Sequence, residues 1–127
     1  MLDTSVIIDF ELIDRSLLPR ELAMSSLSLA ELSGSPHAAS DEVERAHRQD
    51  RLQRTESSIS SIPFDERAAR AYGIVFAAVN SSGRKPRGAR AVDLLIAATA
   101  CSLNLPLYTR NPEDFKGLEG VVHVVAV

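Results

Sequence analysis

Four acidic residues interrupt or border apolar segments: Asp3 in Leu-Asp-Thr-Ser-Val-Ile-Ile, Glu31 in Leu-Ala-Glu-Leu, Asp93 in Val-Asp-Leu-Leu-Ile, and Asp114 in Asn-Pro-Glu-Asp-Phe. A carboxylate beside apolar neighbours is costly unless it is paired, hydrogen-bonded or on a metal. Each falls at or near a predicted strand end or helix start. In an open parallel sheet the carboxyl ends of the strands converge on one crevice, so the four can meet. Taken singly, each has a plain structural use. Asp3 can cap the first helix, Ser28-x-x-Glu31 fits a capping box, Asp93 suits a helix N-terminus, and Asp114 lies three residues after a candidate cap at Asn111. If they converge, an all-oxygen set without nearby His or Cys selects Mg²⁺ or Mn²⁺, and the chemistry such ions support is phosphodiester hydrolysis. Thr4, Ser5, Thr109 and Asn111 are then the neutral groups that orient carboxylates, water or phosphate.

The elements that would carry these residues are legible from punctuation. Residues 1–2 read as the stub of a buried strand, Ser5 to Ile13 as an apolar-stripe helix, and Leu22 to Leu27 as a short strand. Ser28 is the expected cap of a helix that stops near Gly34-Ser35-Pro36, and Asp41 to Thr55 is a charged, exposed or partner-facing helix. A strand within Ser58 to Phe64 precedes a long helix capped by Asp65 and running through Val79. After a polar loop from Asn80 to Gly88, a helix from Ala91 is apolar on nearly every face, with Asp93 its only charge. Leu105 to Tyr108 and Val121 to Val127 read as strands, with Asn111-Pro112 opening a helical turn between them. The alternation predicts an α/β domain with a mostly parallel, helix-covered sheet, and the 127 residues suit a single domain over 1–127.

Composition narrows the function classes. With 45% apolar residues the chain is too hydrophobic for intrinsic disorder, and no apolar run reaches the length of a membrane span. The lone Cys101 excludes a disulfide framework or a cysteine zinc site, and the absence of a leader-like segment before Leu2 points to the cytoplasm. The net charge of −3 argues at first against a basic nucleic-acid binder. With the four site carboxylates set aside, however, 13 of the 17 acids remain against 14 basic residues, so the low charge is partly a signature of the site. The most basic stretch, with Arg84, Lys85, Arg87 and Arg90, precedes Asp93 and is a candidate for phosphate contacts. His37, His47 and His123 read as surface or packing residues, and Asp9, Glu11 and Asp14 as the solvent face of the first helix. Leu12, Leu17, Leu18 and Val43 read first as core or dimer packing, and otherwise as cover for a partner groove.

In order along the chain, Leu2-Asp3-Thr4-Ser5-Val6-Ile7-Ile8-Asp9, Ser28-Leu29-Ala30-Glu31-Leu32-Ser33-Gly34, Asp93-Leu94-Leu95-Ile96-Ala97-Ala98-Thr99-Ala100 and Thr109-Arg110-Asn111-Pro112-Glu113-Asp114-Phe115 resemble the motifs of PIN-domain ribonucleases, most closely the VapC-like toxins. The resemblance spans residue 2 to about residue 118, and the Asp-Leu-Leu-Ile-Ala-Ala-Thr-Ala run is its most specific part. It implies a compact α/β/α sandwich and a Mg²⁺- or Mn²⁺-dependent endoribonuclease acting on structured or translation-related RNA. Asp3, Glu31 and Asp93 match the three most regular acidic ligands, and Asp114 a fourth, less regular one. It also implies a homodimer and a VapB-like antitoxin whose tail occupies the site. The family usually carries more strand residues before its first Asp, so the first strand is expected to be weak. A catalytically idle PIN-like module that binds RNA or a partner is the alternative. Phosphoryl transfer through an Asp-phosphate fits less well, because the first motif is Asp-Thr-Ser and no lysine follows the late strand.

Overall fold

The structure is a computed structural model that describes residues 1–88 and 90–127. Ala89, which the sequence reading places in the basic loop, lies outside the described residues. Leu2, although too short a segment to count as a strand, occupies the centre of the sheet, bridged in parallel to Met24 on one side and to Tyr108 on the other. Its N–H donates to the Ala23 carbonyl at 2.8 Å, Asp3 N–H to Tyr108 at 2.9 Å, and Tyr108 N–H to Met1 at 2.9 Å. Strand β1 (Ala23–Ser25) continues to β2 (Ser60–Ile62), and β3 (Leu107–Thr109) to β4 (Val124–Ala126), both in parallel. The order is therefore β2, β1, Leu2, β3, β4, with every pairing parallel.

Alternation along these short strands assigns the two faces. Met1 and Leu107 belong to a core built with Ala71, Val75 and Val79 of α4 (Glu66–Ser81) and with Leu94, Ala97 and Ala98 of α5 (Arg90–Ser102). Leu2 and Met24 point into a second core with Val6 and Ile7 of α1 (Thr4–Ile8), Leu32 of α2 (Ser26–Gly34) and Ile59, which follows α3 (Glu42–Ser58). Helices cover both faces, as the expected α/β/α sandwich requires. None of the described helices is long and apolar enough to cross a membrane.

Several expected boundaries move. The first helix ends at Ile8 rather than Ile13, and 3₁₀ turns at Phe10–Leu12 and Arg15–Leu17 follow. Ile13 leaves the turn in extended conformation and is 7% exposed, so the apolar stripe reaches the core through a bend rather than through a longer helix. The cap of α2 is Ser25, whose Oγ accepts the Leu27 N–H at 3.0 Å. Ser28 lies inside the helix, fully buried, and Glu31 is therefore not part of a capping box. The helix ends at Gly34, where a stop was expected, and Pro36 is accommodated near the start of a 3₁₀ turn, where no N–H is needed.

β3 begins two residues later than expected because Asn104, at φ 51°, closes the end of α5 in the left-handed region that Asn tolerates. The final strand is shorter than expected, spanning Val124–Ala126. Leu18 is buried in the second core and is not part of an exposed patch, whereas Leu12, Leu17 and Val43 are exposed.

The structure adds one cap to the expected one at Asp65. Asp41 accepts the Glu44 N–H at 2.8 Å, and Asp65 accepts the Ala68 N–H at 3.0 Å at the start of α4. The second of these anchors a helix that supplies much of one core. Asp65→Ala is expected to lower unfolding stability by about 1 kcal/mol in urea titrations.

Candidate active site

The parallel register sets the site. Leu2, Met24 and Tyr108 are bridged, so the residues after them, Asp3, Ser25 and Thr109, follow side by side at the carboxyl edge of the sheet. Asp3 is 5% exposed and Thr109 is fully buried. Asp3 precedes α1 but does not cap it with its side chain. Its Oδ2 instead accepts from Ser5 Oγ at 2.7 Å and from Thr109 Oγ1 at 2.9 Å. The two hydroxyls are themselves oriented: the Arg110 N–H donates to Ser5 Oγ at 3.1 Å, and the Asn111 N–H to Thr109 Oγ1 at 3.0 Å. Each hydroxyl accepts from backbone and so turns its proton toward the carboxylate. On the adjoining element, Thr4 Oγ1 donates to Glu31 Oε2, tying α1 to α2 through a second site carboxylate.

Asp93 lies in the first turn of α5, half-buried, and its carboxyl is pushed up to about 7. Desolvation is the first cause, followed by the charges of Asp3, Asp114 and Glu31, while Arg90 one turn earlier acts in the opposite sense. The four acids singled out from sequence therefore share one electrostatic field. Asp114 reaches it from the 3₁₀ turn Pro112–Phe115, whose start Asn111 borders without a side-chain cap bond.

Among the described residues, no three His, Cys, Asp or Glu side chains stand close enough together to enclose a metal directly. The donor set still suits a hard cation, because it is all oxygen, and burial together with the neighbouring negative charges already holds one carboxyl partly protonated. Mg²⁺ commonly keeps several waters and needs only one or two direct carboxylates, so direct enclosure by three is not required.

The sign of the pH dependence follows. Between pH 3.8 and about 7 the folded protein retains a proton on Asp93 that the unfolded chain has released, so this group's contribution to stability falls as pH rises through that window. The melting temperature of the cation-free protein, measured relative to Asp93→Asn, is expected to fall from pH 5 to pH 7. Millimolar Mg²⁺ should raise it more at pH 7 than at pH 5. Equal increments at the two pH values would contradict the assignment.

The remaining residues separate. Arg90 lies beside Asp93, but Arg84 contributes to the field of Glu119, whose carboxyl is lowered chiefly by backbone hydrogen bonds in the Gly117 turn. Lys85 and Arg87 are exposed, as are His37, His47 and His123. A groove of about 660 Å³ runs from the end of α1 to α3 past Ile8, Leu12 and Arg51 and contains none of the four carboxylates. Sequence reading missed Arg110, whose Nε donates to Asp9 Oδ2 at 3.2 Å and whose Nη1 donates to the Val127 carbonyl at 3.3 Å. Asp9 is consequently a partner of the loop after β3 and not only a solvent-facing residue. The one available signal was the helical spacing of Ser5 and Asp9, which puts both on the face of α1 toward that loop.

Residues 1–120 match the family model of the PIN domain. The chain is 35% identical to Ribonuclease VapC5 of Mycobacterium tuberculosis over 127 residues, covering 98% of this chain and 90% of the relative. Among solved structures it resembles VapBC-5 of M. tuberculosis, a member of the VapBC family of toxin–antitoxin systems, with a TM-score of 0.87, 35% identity, and coverage of 99% of this chain and 96% of that one. It shares the fold of VapBC2 from Rickettsia felis, solved bound to a DNA fragment from its promoter, with a TM-score of 0.80, 23% identity, and coverage of 100% and 97%. The parallel sheet between two helical layers, the ordered acidic motifs and these likenesses agree: the chain belongs to the PIN-domain family.

Proposed function

We propose that this protein is the toxin of a VapBC-type toxin–antitoxin pair, a single-domain endoribonuclease that uses Mg²⁺ or Mn²⁺ to hydrolyse phosphodiester bonds in structured or translation-related RNA. The observation that carries the reading is the shared field of Asp3, Glu31, Asp93 and Asp114, with Asp93 raised to about 7, on a chain similar to a ribonuclease along nearly its whole length. A bound divalent cation would supply charge neutralisation at the phosphate and an acidified water. Asp3 and Asp93 would hold it, with Glu31 and Asp114 completing the acidic wall. Ser5 and Thr109 fix the Asp3 carboxylate, Thr4 fixes Glu31, and the Asn111 backbone fixes Thr109.

In this reading Arg84, Lys85, Arg87 and Arg90 meet RNA phosphates, Arg84 acting also on Glu119. Neutralising Lys85 and Arg87 together should weaken RNA binding and flatten its dependence on log[salt] by about one unit for each phosphate no longer neutralised. An unchanged slope in filter-binding titrations would exclude the loop as a phosphate site. A cytoplasmic homodimer kept inactive by a VapB-like antitoxin completes the proposal, with exposed Leu12, Leu17 and Val43 available to the partner.

The test is incubation of the purified protein with total RNA. Discrete fragments are expected with Mg²⁺ or Mn²⁺ and none with chelator, whereas metal-independent fragments would contradict the mechanism. A second reading, a catalytically idle binding module, is favoured by the lack of a closed three-acid cluster among the described residues. RNA binding without cleavage under either cation would select it.

A further inference from the structure

The Asp3 carboxylate is positioned from outside the acidic cluster. Ser5 in α1 and Asp9, which caps its C-terminal end one turn later, are both held by Arg110: its backbone N–H reaches Ser5 Oγ at 3.1 Å, and its Nε reaches Asp9 Oδ2 at 3.2 Å. The same guanidinium donates to the Val127 carbonyl at 3.3 Å, just past the end of β4, while the Val127 N–H returns to the Thr109 carbonyl at 3.0 Å. One residue thus fastens the loop after β3 to α1, to its C-terminal cap and to the residue after β4. The planar, forked guanidinium can serve two acceptors at once, which a lysine ammonium on a flexible stem does poorly.

This grip sets the direction of the Asp3 side chain. Ser5 Oγ accepts from Arg110 N–H and donates to Asp3 Oδ2, so a shift of the loop relative to α1 removes the acceptor role that turns the Ser5 proton toward Asp3. Among the described residues, the hydroxyl bonds to Asp3 both go to Oδ2, which leaves Oδ1 for an incoming cation. The ion pair itself is 36% and 38% exposed on its two sides, and pairs so exposed add little to global stability. Its effect is therefore geometric rather than structural.

We infer that Arg110, paired with Asp9, is a positioning residue that holds Asp3 in its cation-binding orientation through Ser5. The inference rests on the proposed cation-dependent nuclease and is tested without RNA. Mn²⁺ affinity is read by electron paramagnetic resonance of the free ion for the wild-type protein, Arg110→Ala, Arg110→Lys, Asp9→Ala and Arg110→Ala/Asp9→Ala, each checked for a native melting transition. Removing a positive charge near the site would, by charge alone, tighten Mn²⁺ binding. The inference requires the opposite.

Arg110→Ala should weaken Mn²⁺ binding by about three- to tenfold, less than loss of a direct outer-shell partner would. Arg110→Lys, which keeps the charge, should weaken it too, and the double variant should be no worse than the weaker single one. With RNA, kcat should fall while KM is held. Mn²⁺ binding in Arg110→Ala and Arg110→Lys as tight as in the wild type would overturn the inference while leaving the nuclease reading intact. So would a raised KM with a shallower salt slope, which would mark Arg110 as a phosphate contact. A wild-type protein that neither binds Mn²⁺ nor cleaves RNA would instead remove the nuclease reading itself.

Discussion

Asp93→Asn should reduce RNA cleavage at least about a hundredfold, since in the proposed mechanism it removes an oxygen ligand and its charge from a site whose chemistry depends on both. The same change should leave the cation-free fold as stable as the wild type or more so at pH 7. Asp93 sits half-buried against the charges of Asp3, Asp114 and Glu31, which is why its carboxyl is held near 7, and an amide of nearly the same shape removes that repulsion. Activity and stability thus move in opposite directions. A scaffold residue behaves otherwise, because its loss lowers both. The Mg²⁺-induced rise in melting temperature should shrink in the variant, and thermal melts with and without Mg²⁺ beside a cleavage assay check all three statements. Cleavage within a few-fold of wild type would remove Asp93 from the reaction.

Thr109→Val is expected to be the most damaging change that leaves every charge in place. Thr109 is fully buried at the end of β3, where its Oγ1 donates to Asp3 Oδ2 at 2.9 Å and accepts the Asn111 N–H at 3.0 Å. Valine preserves the volume but leaves a buried carboxylate short of one donor and a backbone N–H without its acceptor. Loss of a buried partner of this kind costs about 1–3 kcal/mol, to be read from urea unfolding. Misdirecting the Asp3 carboxylate should also lower cleavage by about ten- to a hundredfold, the usual range for a partner behind a ligand. Thr109→Ser keeps the hydroxyl and should recover most of the activity. Full activity in Thr109→Val would show that Asp3 is held by other means.

The four acids stood out because each interrupts or borders an apolar segment; each alone has a local structural use, and only their joint pattern points to one site. The architecture was legible for a related reason: alternating strands and helices can bury their apolar faces in only a few ways. What escaped was decided by distant pairings. Ser25, Ser26 and Ser28 all offer a hydroxyl near the start of α2, and local preference does not choose among them. The register of β1 against Leu2 and β2 does, by ending the strand at Ser25. The expected long first helix failed where Ile13 must turn into the core, a demand set by packing with Leu18, Met24 and Ile59.

Arg110 went unnoticed because its partners lie at Asp9 and Val127, far away in sequence and joined only by parallel strand order. The basic stretch looked uniform in sequence, yet folding separates it. Arg90 shares the field of Asp93, whereas Arg84 shares that of Glu119.

In the proposed mechanism the four carboxylates act as one cation-binding unit. Calorimetric titration of Mn²⁺ into the RNA-free protein at pH 7, repeated in buffers of different ionisation heat, tests it most directly. The account predicts saturable binding accompanied by proton release, because Asp93 is partly protonated at that pH and must ionise to take a cation, with both signals lost in Asp93→Asn. Binding that releases no proton and survives Asp93→Asn, or no binding at all, would contradict it.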